Sequence, residues 1–234
     1  MKTISIKVFM ASVCFVFGLI TMTTAQQETR HLSDFTGLSV SGGISVNLHY
    51  GTPKAEVNVI KGDLEKLKTE VKGNTLKIYF EGKRWGMSNN DKAKIDLYFD
   101  NLNYIDVSAG ANVECNVVIK ADDFDVDVSS GGRLDIEVEA ASIDSDVSSG
   151  ASINITGKAD ELNVDASSGA SFRGAGLMAK NVDADVSSGG NIKVWATEEI
   201  HADASSGGSV QYKGEPKKVN IDSGKWSGGN VSKM

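Results

Sequence analysis

The stretch Asp127-Val-Ser-Ser-Gly131 decides the fold, because the chain repeats it at nearly constant intervals. The pattern Asp-(Val/Ala)-Ser-(Ser/Ala)-Gly occurs six times, and a shortened Asp222-Ser-Gly224 follows. The six copies begin at Asp106, Asp127, Asp146, Asp165, Asp185 and Asp203. Their closing glycines are Gly110, Gly131, Gly150, Gly169, Gly189 and Gly207. Such a regular spacing predicts a solenoid, since a unit of this size cannot bury a core alone and must stack on its neighbours.

Apolar residues alternate with polar residues on both sides of each repeat. Every second residue is apolar in 124–128, and the same holds for 134–138. A period of two predicts strands with one buried face, and the small residues 129–132 predict a corner between them. The predicted fold class is therefore all-β: a β-solenoid with about 19 residues per coil in its C-terminal half. Its coils should pair as parallel strands about 4.8 Å apart.

The alternation also predicts which side chains face solvent. If Val126 and Val128 point inward, Ser130 should point inward too, whereas Asp127 and Ser129 should point outward. Stacked coils would then present an outward row of five aspartates, which is a candidate ligand-binding surface. These residues are Asp127, Asp146, Asp165, Asp185 and Asp203.

A row of stacked carboxylates requires a compensating interaction. Two carboxylates about 5 Å apart repel by roughly 0.8 kcal/mol in water. In a structural interpretation, each aspartate accepts hydrogen bonds from the backbone N–H groups of the two following serines, as in an Asx-type turn. In a functional interpretation, the row binds calcium or a glycan. We predict no cofactor; calcium is the one alternative, and the calcium-binding repeat Gly-Gly-x-Gly-x-Asp does not occur.

Residues 1–25 are predicted to be a secretory signal peptide. Lys2 and Lys7 provide the basic start, 8–20 is apolar, and Thr23-Thr24-Ala25 resembles a small-residue cleavage site. We therefore expect an exported protein. No integral membrane segment is expected.

The charge and cysteine content of the chain after residue 25 exclude some partners and cross-links. It carries 22 basic and 31 acidic side chains, so its net charge is −9. Nucleic acid is an unsuitable partner, because phosphate binding depends on clustered lysine and arginine. Cys115 is the remaining cysteine, which precludes an internal disulfide.

The repeats occupy only the second part of the chain. Residues 26–100 are predicted to form a less regular, β-rich N-terminal part of the same head domain, including one helical turn capped by Asp63. Residues 101–234 are predicted to form the regular coils, with Trp226 in a C-terminal cap.

The segment 81–92 interrupts the strand pattern and provides a second candidate site. It has no periodicity, and it places Arg84 beside Trp85 in a polar context. Arginine and tryptophan are enriched at binding hot spots, so both residues are candidate ligand contacts. The alternative is a loop whose tryptophan covers the edge of the sheet.

Several motifs outside the repeats resemble a known family. They are the segment Asp34-Phe35-Thr-Gly-Leu-Ser-Val40-Ser-Gly42-Gly43-Ile44-Ser-Val46-Asn-Leu48, then Gly62-Asp63-Leu64, Asn74-Thr-Leu76-Lys-Ile78 and Leu102-Asn-Tyr-Ile105-Asp-Val-Ser-Ala-Gly110. In this order they resemble the bacterial family "putative auto-transporter adhesin, head GIN domain", from about Asp34 to the C-terminus. The resemblance implies a right-handed parallel β-helix and an exported binding protein of Gram-negative bacteria. Such a protein resides in the periplasm, on the outer-membrane surface or in the medium. It implies no particular binding residues.

Three functions follow from these patterns. The first is a non-catalytic binding or adhesion module of the cell envelope that engages glycan or protein through a solenoid face or the 81–92 loop. The second is a structural envelope or assembly subunit, since small side chains at every corner permit a homo-oligomer. The third is a β-helix polysaccharide lyase or glycosidase, which requires paired carboxylates at one place. The aspartates are spread evenly over the coils, so we predict no catalytic residues and no enzyme activity.

Overall fold

The computed structural model describes residues 26–82, 90–223 and 228–234, and strands make up most of them. The N-terminal strands are β1 (Gln26–His31), β2 (Gly37–Ser41), β3 (Ile44–Tyr50), β4 (Lys54–Lys61), β5 (Leu67–Lys72), β6 (Thr75–Phe80), β7 (Lys92–Phe99) and β8 (Tyr104–Ser108). The later strands are β9 (Asn112–Val128), β10 (Arg133–Val147), β11 (Ser152–Ala166), β12 (Ser171–Val186), β13 (Asn191–Ala204), β14 (Ser209–Lys213), β15 (Lys218–Ser223) and β16 (Asn230–Lys233). The proposed signal peptide, residues 1–25, lies outside the described residues and stays a prediction.

These strands form one continuous sheet that is wound into coils with two hydrogen-bonded faces. One face, which we call the aspartate face, contains the strand segments that precede each corner. Its order is β5, β6, β2, β8, the C-terminal halves of β9 to β13, and β15. The second face contains the segments that follow each corner. Its order is β1, β4, β7, β3, the N-terminal halves of β9 to β13, β14 and β16.

Successive coils pair in parallel, and each coil corresponds to one sequence repeat. Asp146 is paired with Asp127 on one side and with Asp165 on the other. The same register continues from Asp165 to Asp185 and from Asp185 to Asp203. Equivalent residues of successive repeats are therefore stacked, and the predictions of an all-β solenoid and of its coil length are confirmed.

Each regular coil is one long strand that bends between the two faces. In β10 the buried positions are 134, 136 and 138 before the bend, but 143, 145 and 147 after it. The intervening residues 139–142 are at least partly exposed, and the alternation shifts by one residue there. This shift lets one strand point apolar side chains inward on both faces.

The corner at the other edge of each coil is a two-residue turn of type I′. Ser130 and Gly131 both have positive φ values, 50° and 74°, and the Gly132 N–H donates to the Ser129 carbonyl at 2.9 Å. Type I′ turns require positive φ at both central residues, which favours glycine at the second. The Gly131 N–H donates to the Ser149 carbonyl at 3.1 Å, so neighbouring corners are also hydrogen-bonded.

The predicted inward orientation of Ser130 is wrong. Ser130 is exposed, and the next buried residue is Gly132. The strand alternation ends at Ser129, because a residue in the left-handed region does not continue the pleat.

The N-terminal part adds two coils and an antiparallel end to the solenoid. β2 and β3 stack on β8 and β9, and β6 and β7 form a further coil beneath them. β5 and β4 then add antiparallel strands to the two faces, and β1 extends β4. Between β4 and β5 lies a turn of 3₁₀ helix, Leu64–Lys66. The Asp63 carboxylate accepts from the Glu65 N–H at 3.0 Å, which confirms the predicted cap.

The core consists of stacked inward columns of aliphatic residues with a few aromatic rings. Phe99, Phe124 and Phe172 are among its largest fully buried side chains. Burying a large apolar side chain contributes about 1.5–3 kcal/mol, so the stacked columns are the principal source of stability. Cys115 is buried among them, and burial raises the pKa of its thiol. It therefore behaves as a small hydrophobic residue.

Candidate functional site

The five predicted aspartates are stacked in one outward row, and the row has two further members at its ends. We call this row the aspartate column. It consists of Asp106, Asp127, Asp146, Asp165, Asp185, Asp203 and Asp222, each paired in register with the next. Six intercoil spacings of about 4.8 Å give the column a length of about 29 Å.

Two further outward columns lie beside it on the aspartate face. The second column contains Tyr104, Asp125, Asp144, Asn163, Asp183, His201 and Asn220. The third contains Asp123, Ser142, Glu161, Asn181, Glu199 and Lys218. Together the three columns contain thirteen carboxylates and one lysine, so this face carries most of the protein's excess negative charge.

Hydrogen-bond donors are concentrated near the N-terminal end of the aspartate column. Ser39 Oγ donates to Asp106 Oδ2 at 2.7 Å, and Tyr104 Oη donates to Asp127 Oδ2 at 3.2 Å. Burial, followed by the nearby Asp106 and Asp127 charges, raises the pKa of Tyr104 to about 12, so its hydroxyl remains a donor at neutral pH.

The middle of the column has no comparable partners. No side-chain hydrogen bond or ion pair joins Asp146, Asp165 or Asp185 to the rest of the chain that the structure describes. Partial burial raises the pKa of Asp146, and repulsion from Asp127, Asp165 and Asp144 adds to the effect. Burial and neighbouring aspartates raise the pKa of Asp185 in the same way. These carboxylates therefore favour the binding of a cation, a proton or a hydrogen-bond donor.

The structure does not support the Asx-turn interpretation of the repeat. The first serine of each corner donates its N–H to a backbone carbonyl of the preceding coil instead of to the aspartate. The Ser148 N–H, for example, donates to the Val128 carbonyl at 3.0 Å. Asp146 precedes this corner on an extended strand, with its carboxylate exposed on the outer surface.

A shallow groove runs along the aspartate column. We call the adjacent row of corner serines the serine column; it consists of Ser129, Ser148, Ser167, Ser187 and Ser205. The groove has a volume of about 400 Å³ and crosses four coils. Its polar lining residues are Asp146, Asp165, Asp185, Asp203, Ser148, Ser167, Ser187 and Ser205, and Val147, Ala166 and Val186 lie between them. Carboxylate acceptors and hydroxyl groups therefore repeat along one line at the spacing of the coils.

A metal centre is not evident in the geometry of this face. Within residues 26–82, 90–223 and 228–234, no group of three or more His, Cys, Asp or Glu side chains is arranged to hold a metal ion.

Arg84 and Trp85, the other predicted ligand contacts, lie outside the described residues. The structure does not test either residue as a ligand contact.

A second groove, which the sequence reasoning missed, lies where the coils bend. It has a volume of about 460 Å³, and its lining includes Met178, Ala179 and Lys180. Beside Met178, Trp195 occupies the equivalent outward position of the next coil, with Lys213 Nζ 4.1 Å from its ring centroid. The sequence signal that could have indicated this groove is Trp195, a tryptophan at an outward position of an alternating strand. Lys180 forms an ion pair with Asp160 at 2.6 Å, so charges here are partly neutralised.

Comparisons with known proteins agree with this architecture. A family model described as "putative auto-transporter adhesin, head GIN domain" matches residues 34–216. A solved putative adhesin from Bacteroides fragilis has a TM-score of 0.80 at 17% identity, over 91% of this chain and 98% of its own. A putative adhesin from Parabacteroides merdae has a TM-score of 0.70 at 17% identity, over 91% and 97%. A solved structure named a putative lipid binding protein, from Parabacteroides distasonis, has a TM-score of 0.61 at 18% identity, over 90% and 98%.

At these identities the solved structures support the fold alone. No protein with curated function matches the chain. Among the described residues, no helix has the length and apolar character that crossing a membrane requires.

Proposed function

This chain belongs to the family described as "putative auto-transporter adhesin, head GIN domain", and we propose that it is an exported, non-catalytic binding module of the cell envelope. The adhesin names of the family and of its structural neighbours support binding at a cell surface and an exported location. The proposed sites of action are the periplasm, the outer-membrane surface or the medium.

The observation that carries the proposal is the repetition of one polar pattern along the aspartate face. Ionised carboxylates accept hydrogen bonds but cannot donate them, so a ligand on this face must supply donors. Hydroxyl and ammonium groups meet that requirement, and hydrogen bonds to charged acceptors are stronger than neutral ones. A repeating surface suits a repeating ligand that can lie across several coils.

We therefore propose an extended glycan, neutral or amino-substituted, as the ligand of this face. An acidic glycan would be repelled by the thirteen carboxylates unless a divalent cation bridged the two. A basic protein segment is the other ligand chemistry compatible with the face, so it belongs in the same experiment. Contacts from the Arg84–Trp85 segment are a separate part of the proposal.

The test compares two triple variants that change net charge equally. Asp146→Asn, Asp165→Asn and Asp185→Asn remove charge from the groove, whereas Glu114→Gln, Asp135→Asn and Glu137→Gln do so on the second face. Binding is measured at low salt to an amino-sugar polymer, a neutral glucan, an acidic polysaccharide and a lysine-rich peptide. We expect the groove variant to lose at least about tenfold in affinity for the amino-sugar polymer, and the second-face variant to bind as the wild type does.

An equal loss of affinity in both variants would mean that net charge alone determines binding, and it would contradict a binding site on the aspartate face. Preference for the lysine-rich peptide over the polymers would replace the glycan with a protein ligand. Binding of the acidic polysaccharide in calcium but not in chelator would make the column a cation-bridged site.

Catalysis is tested in the same samples. Because the carboxylates are distributed evenly over the coils, we expect no release of reducing ends or unsaturated sugars from any of the polymers. Turnover that the groove variant abolished would replace the binding function with an enzyme of the lyase or glycosidase class.

The Arg84–Trp85 segment has its own variant, Arg84→Ala with Trp85→Ala. If the segment contributes contacts, this variant binds the amino-sugar polymer more weakly while its melting temperature is unchanged. Wild-type affinity would remove the segment from the proposal.

A further inference from the structure

The two ends of the solenoid are protected very differently. At the N-terminal end, Arg30 of β1 reaches across to β5 and donates to the Leu67 carbonyl at 2.7 Å. Leu67 itself is buried. At the C-terminal end every residue of β15 is exposed.

The exposed residues of β15 include two large aliphatic side chains in inward columns. Val219 is paired with Ile200 and Ile221 with Ala202, and both partners are fully buried. Val219 is nevertheless 48% exposed and Ile221 41% exposed. They have the orientation of core residues, but no further coil among the described residues covers them.

The backbone of β15 is also available on this side. Within the described residues β15 pairs with β13 alone, so one row of its N–H and C=O groups has no strand partner. An exposed edge strand of this kind is a template for pairing with another chain.

We propose that β15 pairs with β15 of a second copy of this chain in an antiparallel, two-fold symmetric dimer. The sequence Lys218-Val-Asn-Ile-Asp222 is complementary to itself in that orientation. With Asn220 opposite Asn220 of the second copy, Lys218 faces the partner's Asp222, and Val219 faces the partner's Ile221. Lys218 forms an ion pair with Glu199 of its own chain at 3.0 Å, and in the dimer it would lie between that carboxylate and the partner's Asp222. The aliphatic residues meet on the core side.

The charges also select this register over its neighbours. Residues directly opposite each other in an antiparallel pair point to the same side of the sheet, so only shifts that keep Val219 and Ile221 inward are allowed. A shift that placed Val219 opposite itself would leave Asp222 without the partner's Lys218. The shift in the other direction, with Ile221 opposite itself, would likewise separate the lysine from the aspartate.

This pairing closes at two copies. An isologous two-fold contact uses the same surface on both partners and leaves none for a third. In the dimer both aspartate faces lie on the same side, so the ligand surface proposed above would double in length. The dimer itself does not depend on that ligand.

Charge reversal tests the register directly. Lys218→Asp places aspartate opposite aspartate, and Asp222→Lys places lysine opposite lysine. Each variant should weaken dimerisation by at least about tenfold in sedimentation measurements. An equimolar mixture of the two restores both opposite-charge pairs, and we expect it to form a one-to-one heterodimer. Lys217→Asp, which makes the same change of charge just before β15, is the control for net charge and should dimerise as the wild type does.

The mixing experiment separates failed folding from failed pairing, because a misfolded variant would not recover on mixing. The proposal is overturned if the wild type sediments as a monomer across the accessible concentration range. It is also overturned if both single variants dimerise as the wild type does, or if the mixture stays monomeric although each variant has the wild-type circular dichroism spectrum.

Discussion

Ser145 interrupts an inward column that is otherwise aliphatic. It lies between Val126 and Val164 in register, and it is only 6% exposed. Its Oγ has no hydrogen-bond partner among the described residues. A buried hydroxyl without a partner costs about 1–3 kcal/mol, so this coil is stabilised less than its neighbours.

We predict that Ser145→Val raises the free energy of unfolding by about 1–2 kcal/mol, because it removes that cost and matches the two flanking valines. Chemical denaturation measures the change. Ser142→Val is the control at an outward position of the same strand, where we expect a change below about 0.5 kcal/mol. Destabilisation by Ser145→Val alone would mean that the hydroxyl has a partner in solution.

Gly150 provides a second test at the level of single residues. Its φ is +71°, and a Cβ built on it meets no atom within 4 Å. Gly150→Ala should therefore lower the free energy of unfolding by about 1–2 kcal/mol through backbone strain alone. Ser149→Asn should be neutral or stabilising, since Asn-Gly is a preferred type I′ pair. If both variants had wild-type stability, the turn would not be type I′ in solution.

At the scale of single elements, the aspartate column makes stability depend on pH. The pKa values of Asp146 and Asp185 are raised in the folded state, so their ionised forms oppose folding. Their unfavourable contribution is fully present above the raised folded pKa values. It decreases as the pH falls through those values, and it is lost below the unfolded value of about 3.9.

We predict that Asp146→Asn combined with Asp185→Asn raises the melting temperature at pH 7 and low salt. The difference from the wild type should decrease at higher salt, which screens the repulsion, and should vanish near pH 3. Comparison with the wild type is needed, because the lowered pKa values of Glu70 and Asp96 make other parts of the protein lose stability in acid. A stabilisation that persisted unchanged at pH 3 would exclude charge repulsion as its cause.

The elements show which parts of the structure can be predicted from sequence. The period and the alternation are local signals, and they were sufficient for the coil length, the strands and the row containing Asp127. The orientation of Ser130 was wrong because the alternation rule fails inside a turn with positive φ. The hydrogen-bond acceptors of the corner N–H groups could not be predicted locally, because they belong to the neighbouring coil. The Ser148 N–H, for example, donates to a backbone carbonyl of that coil.

For the molecule as a whole, the negative charge is unevenly distributed. Residues 26–100 contain 11 basic and 10 acidic side chains, whereas residues 101–234 contain 11 basic and 21 acidic ones. The topology of the antiparallel strands at the N-terminal end could not be predicted from the sequence, because β1 and β4 pair although neither contains the repeat. The excess charge lies on the coils, and the aspartate face displays it over about six coil spacings.

The most direct test of binding along this face is the dependence of affinity on ligand length. Calorimetry would compare amino-sugar oligomers from the monomer to chains that span the column of about 29 Å. We predict that affinity increases steadily with length, since each added sugar reaches another coil with the same aspartate and serine. Affinity that was complete with one or two sugars would instead indicate a single local pocket and would contradict binding along the aspartate column.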